Sequence, residues 1–271
     1  AYHMNMGYPI FGYTLSAVNF IFLIVTPILT VRALAEEQRQ KTDQLLLTSP
    51  LSVTDIVLGK FMGMIAIFAI PVLIICLYPL IMQVYGEVSM PMSYTAILGF
   101  FLLGCSDIAI GLFLSTITQY QVVAVISTLI VLAVLNFIGN VGQEYDLVRD
   151  ITFWLSISGR SKVFLEGMIC TREVLYFILV IFLFLSMSII KLRGQRLKLP
   201  KWKTALNYTG ILVVVFSLGL LSSSPKFIKY YDATQAKSNT LTEYSQEVMS
   251  KITDGLTITT YANVLDETWF Y

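Results

Sequence analysis

The sequence predicts an all-α polytopic membrane protein, on the strength of its composition and of its long apolar runs. Hydrophobic residues make up 56% of the 271 positions and charged residues only 13%, which is about half the charged fraction of a typical soluble domain. Mean hydropathy is +0.74. An apolar run of roughly twenty residues crosses a bilayer as a helix, because a helix satisfies its backbone hydrogen bonds internally. The net charge of +1 says little by itself, because only its distribution is informative.

Six apolar runs are candidate membrane spans. They cover residues 12–32, 56–84, 94–117, 121–141, 172–191 and 204–223. Pro71 and Pro79 predict a kink or a break in the outer half of the second span. The charge-free tip at 116–121 predicts a tight reversal between the third and fourth spans.

The polar segments between the spans predict the orientation of the bundle. Residues 142–171 interleave charged and aromatic side chains, which predicts amphipathic helices at the membrane interface. The loop between the fifth and sixth spans is basic and carries no acidic residue; its cations are Lys191, Arg193, Arg196, Lys198, Lys201 and Lys203. The positive-inside rule makes this loop cytoplasmic. Counting crossings then puts the 32–55 loop inside, and residues 142–171 and the tail outside.

The tail from Ser224 onward is polar and unlike the spans. Thr240 and Glu243 predict a capping box that starts a helix running to about Ile252. The alternation of Thr and apolar residues over 256–262 predicts a strand. A helix and a strand cannot bury a useful core, so we expect the tail to begin a larger external α/β domain.

The segment from Arg32 to Lys60 is a charge-rich loop with internal order. Ser49-Pro50 predicts the end of its helical part, because the residue before a proline is pushed out of the α region. Ser52 can cap the next helix, with Asp55 in its first turn. An apolar patch at 45–47 lies among these charges outside the bilayer. Such a patch indicates that another protein docks here.

This segment resembles the signature loop of ABC-2-type transporter permeases, and it is most similar to the gliding-motility and nitrous-oxide-respiration branch, the GldF/NosY-like proteins. The resemblance is carried by Arg32, Ala35, Glu36, Glu37, Arg39, Thr42, Leu45, Leu46, Thr48, Pro50, Leu51, Ser52, Asp55, Ile56, Val57, Leu58, Gly59 and Lys60. Asp43-Gln44 departs from the family, which more often has a Leu-Glu pair. The resemblance implies an ABC-2 (type V exporter-like) helix bundle with short external non-spanning helices within 142–171.

The tail is similar to the start of GldG-like proteins, which carry an extracytoplasmic domain beside or fused to the permease. The similarity is carried by Asp232, Thr234, Lys237, Thr240, Leu241, Thr242, Ser245 and Val248. It implies a fusion with four parts: a permease domain at 1–192, a cytoplasmic basic junction at 193–203, an additional transmembrane helix at 204–223 and the start of a GldG-like domain at 224–271. We expect a first permease span to be missing from the N-terminus.

The chain contains no GxxxxGK[ST] phosphate loop, so we expect no nucleotide site and no enzyme activity of its own. The resemblance implies that ATP and Mg bind a separate ABC ATPase subunit. The ATPase-coupling candidates are Arg32, Glu36, Glu37, Arg39, Leu45, Leu46, Pro50, Asp55 and Lys60. Further expected partners are a second copy or a related permease, the lipid bilayer and an extracytoplasmic protein, but no nucleic acid. We expect a multi-pass protein of the cell membrane.

Two polar residues inside the spans are pathway candidates. A carboxylate in the middle of a span, as at Asp107, costs about 2.5–3.5 kcal/mol and normally faces the bundle interior or water. Asp107 either lines a pathway or gate, or is a structural residue bonded to Ser106, Asn136 or a partner subunit. Asn136 is the second candidate, although it suits helix packing better, as Asn19 does. The three cysteines show no CxxC spacing, which excludes a zinc framework.

Two functions from different classes fit these features. The first is an ABC permease in which the 33–55 loop couples ATP hydrolysis to export or to extracytoplasmic work. The alternative is a non-transporting assembly that passes ATPase strokes through the spans to an outer partner. An ion channel lacks support, because the sequence has no charge ring or filter-like repeat.

Overall fold

The computed structural model describes residues 12–41, 50–85, 88–140, 154–197, 200–224, 227–234 and 237–251, with Tyr145, Arg149 and Thr152. Its helices are α1 (Gly12–Gln40), α2 (Val53–Tyr85), α3 (Met90–Ile117), α4 (Gln121–Phe137), α5 (Ile157–Leu165), α6 (Thr171–Leu197), α7 (Lys201–Ser222) and α8 (Glu243–Ser250). A 3₁₀ turn, Ile138–Asn140, follows α4. Two short strands, β1 (Met168–Cys170) and β2 (Tyr230–Asp232), pair with each other.

A helix lies at each of the six predicted spans. Four of these helices are long and apolar enough to cross a membrane. These are α2, α3, α6 and the part of α7 at Trp202–Ser222. The other two contribute shorter apolar stretches, Ala17–Val31 in α1 and Gln121–Phe137 in α4. The protein is therefore a multi-pass membrane protein with a helical bundle, and the count of six spans stays a prediction.

The bundle has two ends. One end, here called the motif end, holds the C-terminus of α1, the N-terminus of α2, the α3–α4 reversal and the α6–α7 connection. The other, here called the far end, holds α5, β1 and β2. The tight reversal predicted after the third span is confirmed at residues 118–120. The 32–60 segment and the basic connection thus lie on the same side, as crossing parity predicted.

The central helix is α3. In its most apolar stretch 72% of the residues are buried inside the protein, against 22% or less in the other three long spans. Glycines let neighbours approach it closely: a Cβ at Gly104 would lie 2.3 Å from the Phe68 ring, and one at Gly111 would lie 2.3 Å from Thr30 Oγ1. Close packing at small residues is a main source of helix association in lipid, where burial of apolar surface supplies little driving force.

Two predictions about the spans differ from the structure. Pro71 and Pro79 were predicted to kink or break α2, and the structure excludes the break, because the helix is continuous through both residues. A helix inside a membrane tolerates proline where neighbouring groups satisfy the freed backbone. Helix α1 ends at Gln40, and Lys41 follows with a φ of 57°; the end predicted at Ser49-Pro50 falls at the edge of 42–49, a stretch outside the described residues. The fourth span is also shorter than predicted, since α4 gives way to the 3₁₀ turn after Phe137.

The tail is fastened to the far end of the bundle. Strand β2 pairs antiparallel with β1, with Met168 opposite Asp232 and Cys170 opposite Tyr230. On either side of this pair, the Ala233 N–H donates to the Gly167 carbonyl and the Thr171 N–H to the Lys229 carbonyl, at 2.8 and 2.9 Å. This pairing gives the described tail a link to the helical bundle that the sequence did not reveal.

The predicted helix in the tail is present, but its capping residue is different. Thr242, not Thr240, is the N-cap of α8, and its hydroxyl accepts from the Ser245 N–H. Thr240 is engaged elsewhere, because its hydroxyl donates to Asp232 at 2.9 Å. Helix α8 ends at Ser250. The predicted strand at 256–262 lies outside the described residues.

Candidate functional site

At the motif end, an ion pair links α1 and α2. Lys60 Nζ lies 2.5 Å from Glu37 Oε1. The two side chains are partly buried, with 18% and 32% of their surfaces exposed. The pair joins the C-terminal part of α1 to the N-terminal part of α2, so it fixes the distance between the two helix ends that flank the charged loop.

Two further contacts tie this loop to other helices. Arg39 Nη1 donates to the side-chain oxygen of Gln121 at the start of α4, at 3.3 Å. Arg196 Nη1, near the end of α6, donates to the Leu51 carbonyl at 2.8 Å. The loop therefore contacts α4 and α6 in addition to its own two helices. Neither Gln121 nor Arg196 stood out as a site residue in the sequence, although Arg196 belongs to the basic loop.

A serine from α3 enters the hydrogen-bond ladder of α1 just before the acidic pair of the motif. The Ala35 N–H donates to Ser115 Oγ at 2.8 Å, and the Ser115 hydroxyl donates to the Val31 carbonyl at 3.5 Å. Val31 and Ala35 are the i and i+4 partners of an ordinary helical bond. Ala35 is fully buried against this contact, so a larger side chain would push α1 away from α3.

The predicted start of the second helix is confirmed. The Asp55 N–H donates to Ser52 Oγ at 3.1 Å, so Ser52 satisfies one of the unpaired donors of the first turn of α2. Asp55 lies in that turn, where its charge suits the positive end of the helix dipole. Pro50 and Asp55 are both exposed.

The remaining coupling candidates have less structural description. Arg32 and Glu36 lie in α1, for which the description covers their backbone only. Leu45 and Leu46 fall in 42–49, outside the described residues. Their proposed role in docking an ATPase stays a prediction.

Asp107 is buried in the centre of α3, with 1% of its surface exposed. Within the described part of the chain its Oδ1 accepts no hydrogen bond. The two side chains expected to satisfy it bond within their own helices: Ser106 donates to the Leu102 carbonyl and Asn136 to the Leu132 carbonyl. A buried oxygen of this kind costs free energy, which suits a residue kept for function.

Asn136 lies on a cavity of about 280 Å³ at the far end. Asn19 of α1 and Ser158, Ser161 and Lys162 of α5 contribute further polar groups, and leucine and phenylalanine side chains line the rest. The structure thus brings both span asparagines together, whereas Asp107 is not among the lining residues. Lys162 was not singled out in the sequence, because it lies in the segment between spans rather than in a span.

A buried ion pair anchors α5 next to this cavity. Arg160 Nη1 lies 2.7 Å from Glu173 Oε2, and the side chains are only 2% and 8% exposed. The guanidinium also stacks over the Tyr176 ring, 4.2 Å from its centroid. Apart from their opposite charges on either side of the Gly167 turn, no sequence pattern pairs these residues.

Residues 4–148 match the family model described as ABC-2 family transporter protein. The match covers more than half of the chain and includes α1 to α4 with the whole charged loop, so this protein belongs to the ABC-2 transporter family. Proteins of this family are membrane components of transporters that generally lack an ATPase site of their own and typically pair with an ABC ATPase. Neither a curated protein nor a solved structure matches the chain.

Proposed function

We propose that this protein is the permease subunit of an ABC transporter of the GldF/NosY-like kind, driven by a separate ATPase through the 33–55 loop. One observation carries this proposal: the loop contacts four helices of the bundle, through Glu37–Lys60, Arg39–Gln121 and Arg196–Leu51. A displacement that an ATPase imposes on the loop is therefore passed directly to α1, α2, α4 and α6. Rigid transmission of this kind is how domain closure moves packed helices.

Ser115 marks the point in α1 at which we propose that the helix bends. A side chain that enters the i→i−4 ladder of a helix is a recognised cause of bending. The Ser115 hydroxyl bridges Val31 and Ala35, immediately before the Glu36-Glu37 pair. In this proposal α1 bends at this bridge, so that the loop swings while the apolar part of α1 stays packed against α3.

Charge distribution supports a cytoplasmic position for the motif end. The basic residues near the end of α6 and the start of α7 lie on that side, and positive residues are enriched in cytoplasmic loops. An ATPase that binds the loop from the cytoplasm needs this orientation. The far end, with α5 and the tail, then faces outside.

The 280 Å³ cavity is the proposed outer part of the cargo path. It combines apolar walls with the amides of Asn19 and Asn136 and the ammonium of Lys162, and a few placed polar groups in an apolar cleft are typical of ligand sites. Asp107 lies deeper in the bundle and is proposed as a further polar residue along the same cargo path. Replacing Lys162 with Met in full-length protein reconstituted with its ATPase tests this role, through cargo-stimulated ATP turnover.

A charge exchange tests the coupling. Glu37→Lys alone should lower stimulated ATP turnover by the associated ATPase. The double change Glu37→Lys with Lys60→Glu should restore it, because the ion pair between α1 and α2 forms again when the two charges are exchanged. The matched control is Glu247→Lys with Lys251→Glu, an exposed pair at the C-terminal end of α8 whose Nζ–Oε1 distance is 2.7 Å. Turnover that stays unchanged in the single variant would refute the proposal. If the exchange fails to restore turnover, Glu37 instead contacts the ATPase itself.

The fastened tail favours a second candidate function, in which the complex does mechanical work on an external partner. The β1–β2 pair and the Thr171–Lys229 bond link the first turn of α6 to the tail, so movement of α6 reaches the tail. Severing the chain just beyond β2, for instance by an engineered protease site at 235–236, leaves the link in place but releases the rest of the tail, and so separates the two functions. A pure exporter should keep transport after the cut, whereas a transmission assembly should keep ATP turnover and lose its external work.

A further inference from the structure

A second cavity, of about 150 Å³, lies at the far end between α5, α6 and α7. Arg172 and Ser222 mark its outer end, and Leu179, Leu183 and Val215 lie deeper along the two spans. Arg172 and Leu183 are about 16 Å apart along α6 at 1.5 Å per residue. The cavity therefore changes from a cationic mouth to an apolar wall in the direction of the membrane normal.

Arg172 is the cation that this mouth offers to a ligand. Its Nε is buried and makes no hydrogen bond to the described residues. Among the described residues it forms an ion pair with Glu173, whose Oε1 is 3.8 Å from that Nε while its Oε2 is held by Arg160 at 2.7 Å. The Arg172 side chain is 34% exposed, so an anion can reach it from the surface.

Aromatic side chains place this mouth at the depth of the membrane interface. The Trp154 ring meets the Tyr176 ring edge-on at 6.5 Å and the Phe216 ring at 5.8 Å. Tryptophan and tyrosine are enriched where lipid headgroups begin. Gly219 permits this arrangement, because a Cβ there would lie 3.1 Å from Trp154 Cζ2.

We infer that this cavity holds an anionic phospholipid of the surrounding leaflet, with its phosphate at Arg172 and one acyl chain along Leu179 and Leu183. The cavity is smaller than the roughly 300–1,000 Å³ of sites that enclose a whole small ligand. It therefore takes part of a molecule whose remainder stays in the bilayer, and the cationic mouth selects a lipid with net negative charge. The bound lipid fills the contact between α6 and α7, the helix that leads to the tail.

The test uses the fluorescence of Trp154, which lines the cavity. The 271-residue chain with Trp202→Phe and Trp269→Phe keeps Trp154 as its one tryptophan. It is reconstituted in phosphatidylcholine vesicles to which brominated phosphatidylglycerol or brominated phosphatidylcholine is added. We expect phosphatidylglycerol to quench Trp154 at a low mole fraction and with saturation, and phosphatidylcholine to quench only in proportion to its share of the bilayer.

Variants separate a specific site from general lipid contact. Arg172→Gln should raise the half-saturating fraction of brominated phosphatidylglycerol roughly tenfold, since a charge-assisted hydrogen bond is lost. Arg172→Lys should restore most of the preference, and Leu183→Phe should weaken binding while keeping the charge. Lys229→Gln, which removes an exposed cation at the same end, should change nothing.

Three results would overturn the inference. Equal quenching by the two lipids would mean ordinary annular contact. An unchanged affinity in both Arg172→Gln and Leu183→Phe would place the lipid elsewhere. Displacement of the brominated lipid by millimolar glycerol 3-phosphate would show that the site recognises a free phosphate and that the acyl chain contributes nothing.

Discussion

Arg160 of α5 is held by Glu173 of α6 across the Gly167 turn, with 2.7 Å between Nη1 and Oε2 in a site where both side chains are almost fully buried. The pair fixes the short far-end helix to a span. It also holds Oε2 of the carboxylate that Arg172 shares, so that Arg172 Nε is left with the longer 3.8 Å contact to Oε1. The same contact therefore orders α5 beside one cavity and leaves a cation at the mouth of another.

Removing one partner of this pair should strongly destabilise the protein. Glu173→Gln leaves a buried guanidinium without its countercharge, for which we expect a loss of about 3–5 kcal/mol of unfolding free energy. The measurement is denaturant unfolding in detergent micelles. Glu247→Gln, in an ion pair whose side chains are 62–69% exposed, should cost less than about 1 kcal/mol. Similar losses in both variants would contradict the assigned burial.

The glycines of α3 should tolerate no added side chain where neighbours touch them. Gly104→Val drives a side chain into the Phe68 ring, and we expect a loss of about 1–3 kcal/mol from overpacking. The matched control is Gly63→Ala in α2, where a Cβ would meet no atom within 4 Å. That change should be neutral or stabilising by up to about 1 kcal/mol. The measurement is the unfolding midpoint of each variant. An unchanged midpoint in Gly104→Val would mean that α2 and α3 do not pack closely at this position.

The Ser115 bridge should affect coupling more than stability. Ser115→Ala removes the hydroxyl between Val31 and Ala35, and we expect stimulated ATP turnover to fall severalfold while the unfolding free energy changes by about 1 kcal/mol. Ser188→Ala is the control, because the Ser188 hydroxyl is equally buried and bonds only to its own helix at Phe184. Loss of turnover in both variants to the same degree would argue against a special role of the bridge.

Asp232 should make the tail loop sensitive to acid. Hydrogen bonds from the Thr234 side chain first, then from the Thr234 backbone, Thr240 and Asn239, lower the pKa of this carboxyl. Its stabilising effect is therefore fully present above its ordinary pKa of about 3.9, and is lost as the pH falls through the lowered value. Hydrogen exchange at the Thr234 and Asn239 amides, corrected for intrinsic rates, should stay slow from pH 7 to 5 and then quicken below pH 4.

The Asp232→Asn variant provides the comparison for this pH dependence. It lacks the titrating group, so its exchange at the same amides should be faster at pH 7 and should show no added acid step. An acid step of the same size in the variant would assign the effect to another carboxyl.

The spans themselves were predictable from the sequence, because twenty apolar residues in lipid have few alternatives to a helix. The cap at Ser52 and the reversal at 118–120 were predictable for a similar reason, since each depends on a few adjacent residues. The boundaries were less so: α2 continues through Pro71 and Pro79, and α4 stops at Phe137. Both outcomes depend on what packs against the backbone, which local propensity does not record.

The sequence by itself thus determined the membrane class, the helical bundle and the charged loop that marks the family, because all three follow from local composition and spacing. Tertiary structure decided which distant groups meet. Lys60 forms an ion pair with Glu37, and Glu173 forms one with Arg160. Arg196 donates a hydrogen bond to the Leu51 carbonyl, 145 positions away. Such pairs depend on helix crossing and rotation, which are set by close packing around α3 and leave no periodic trace along the chain.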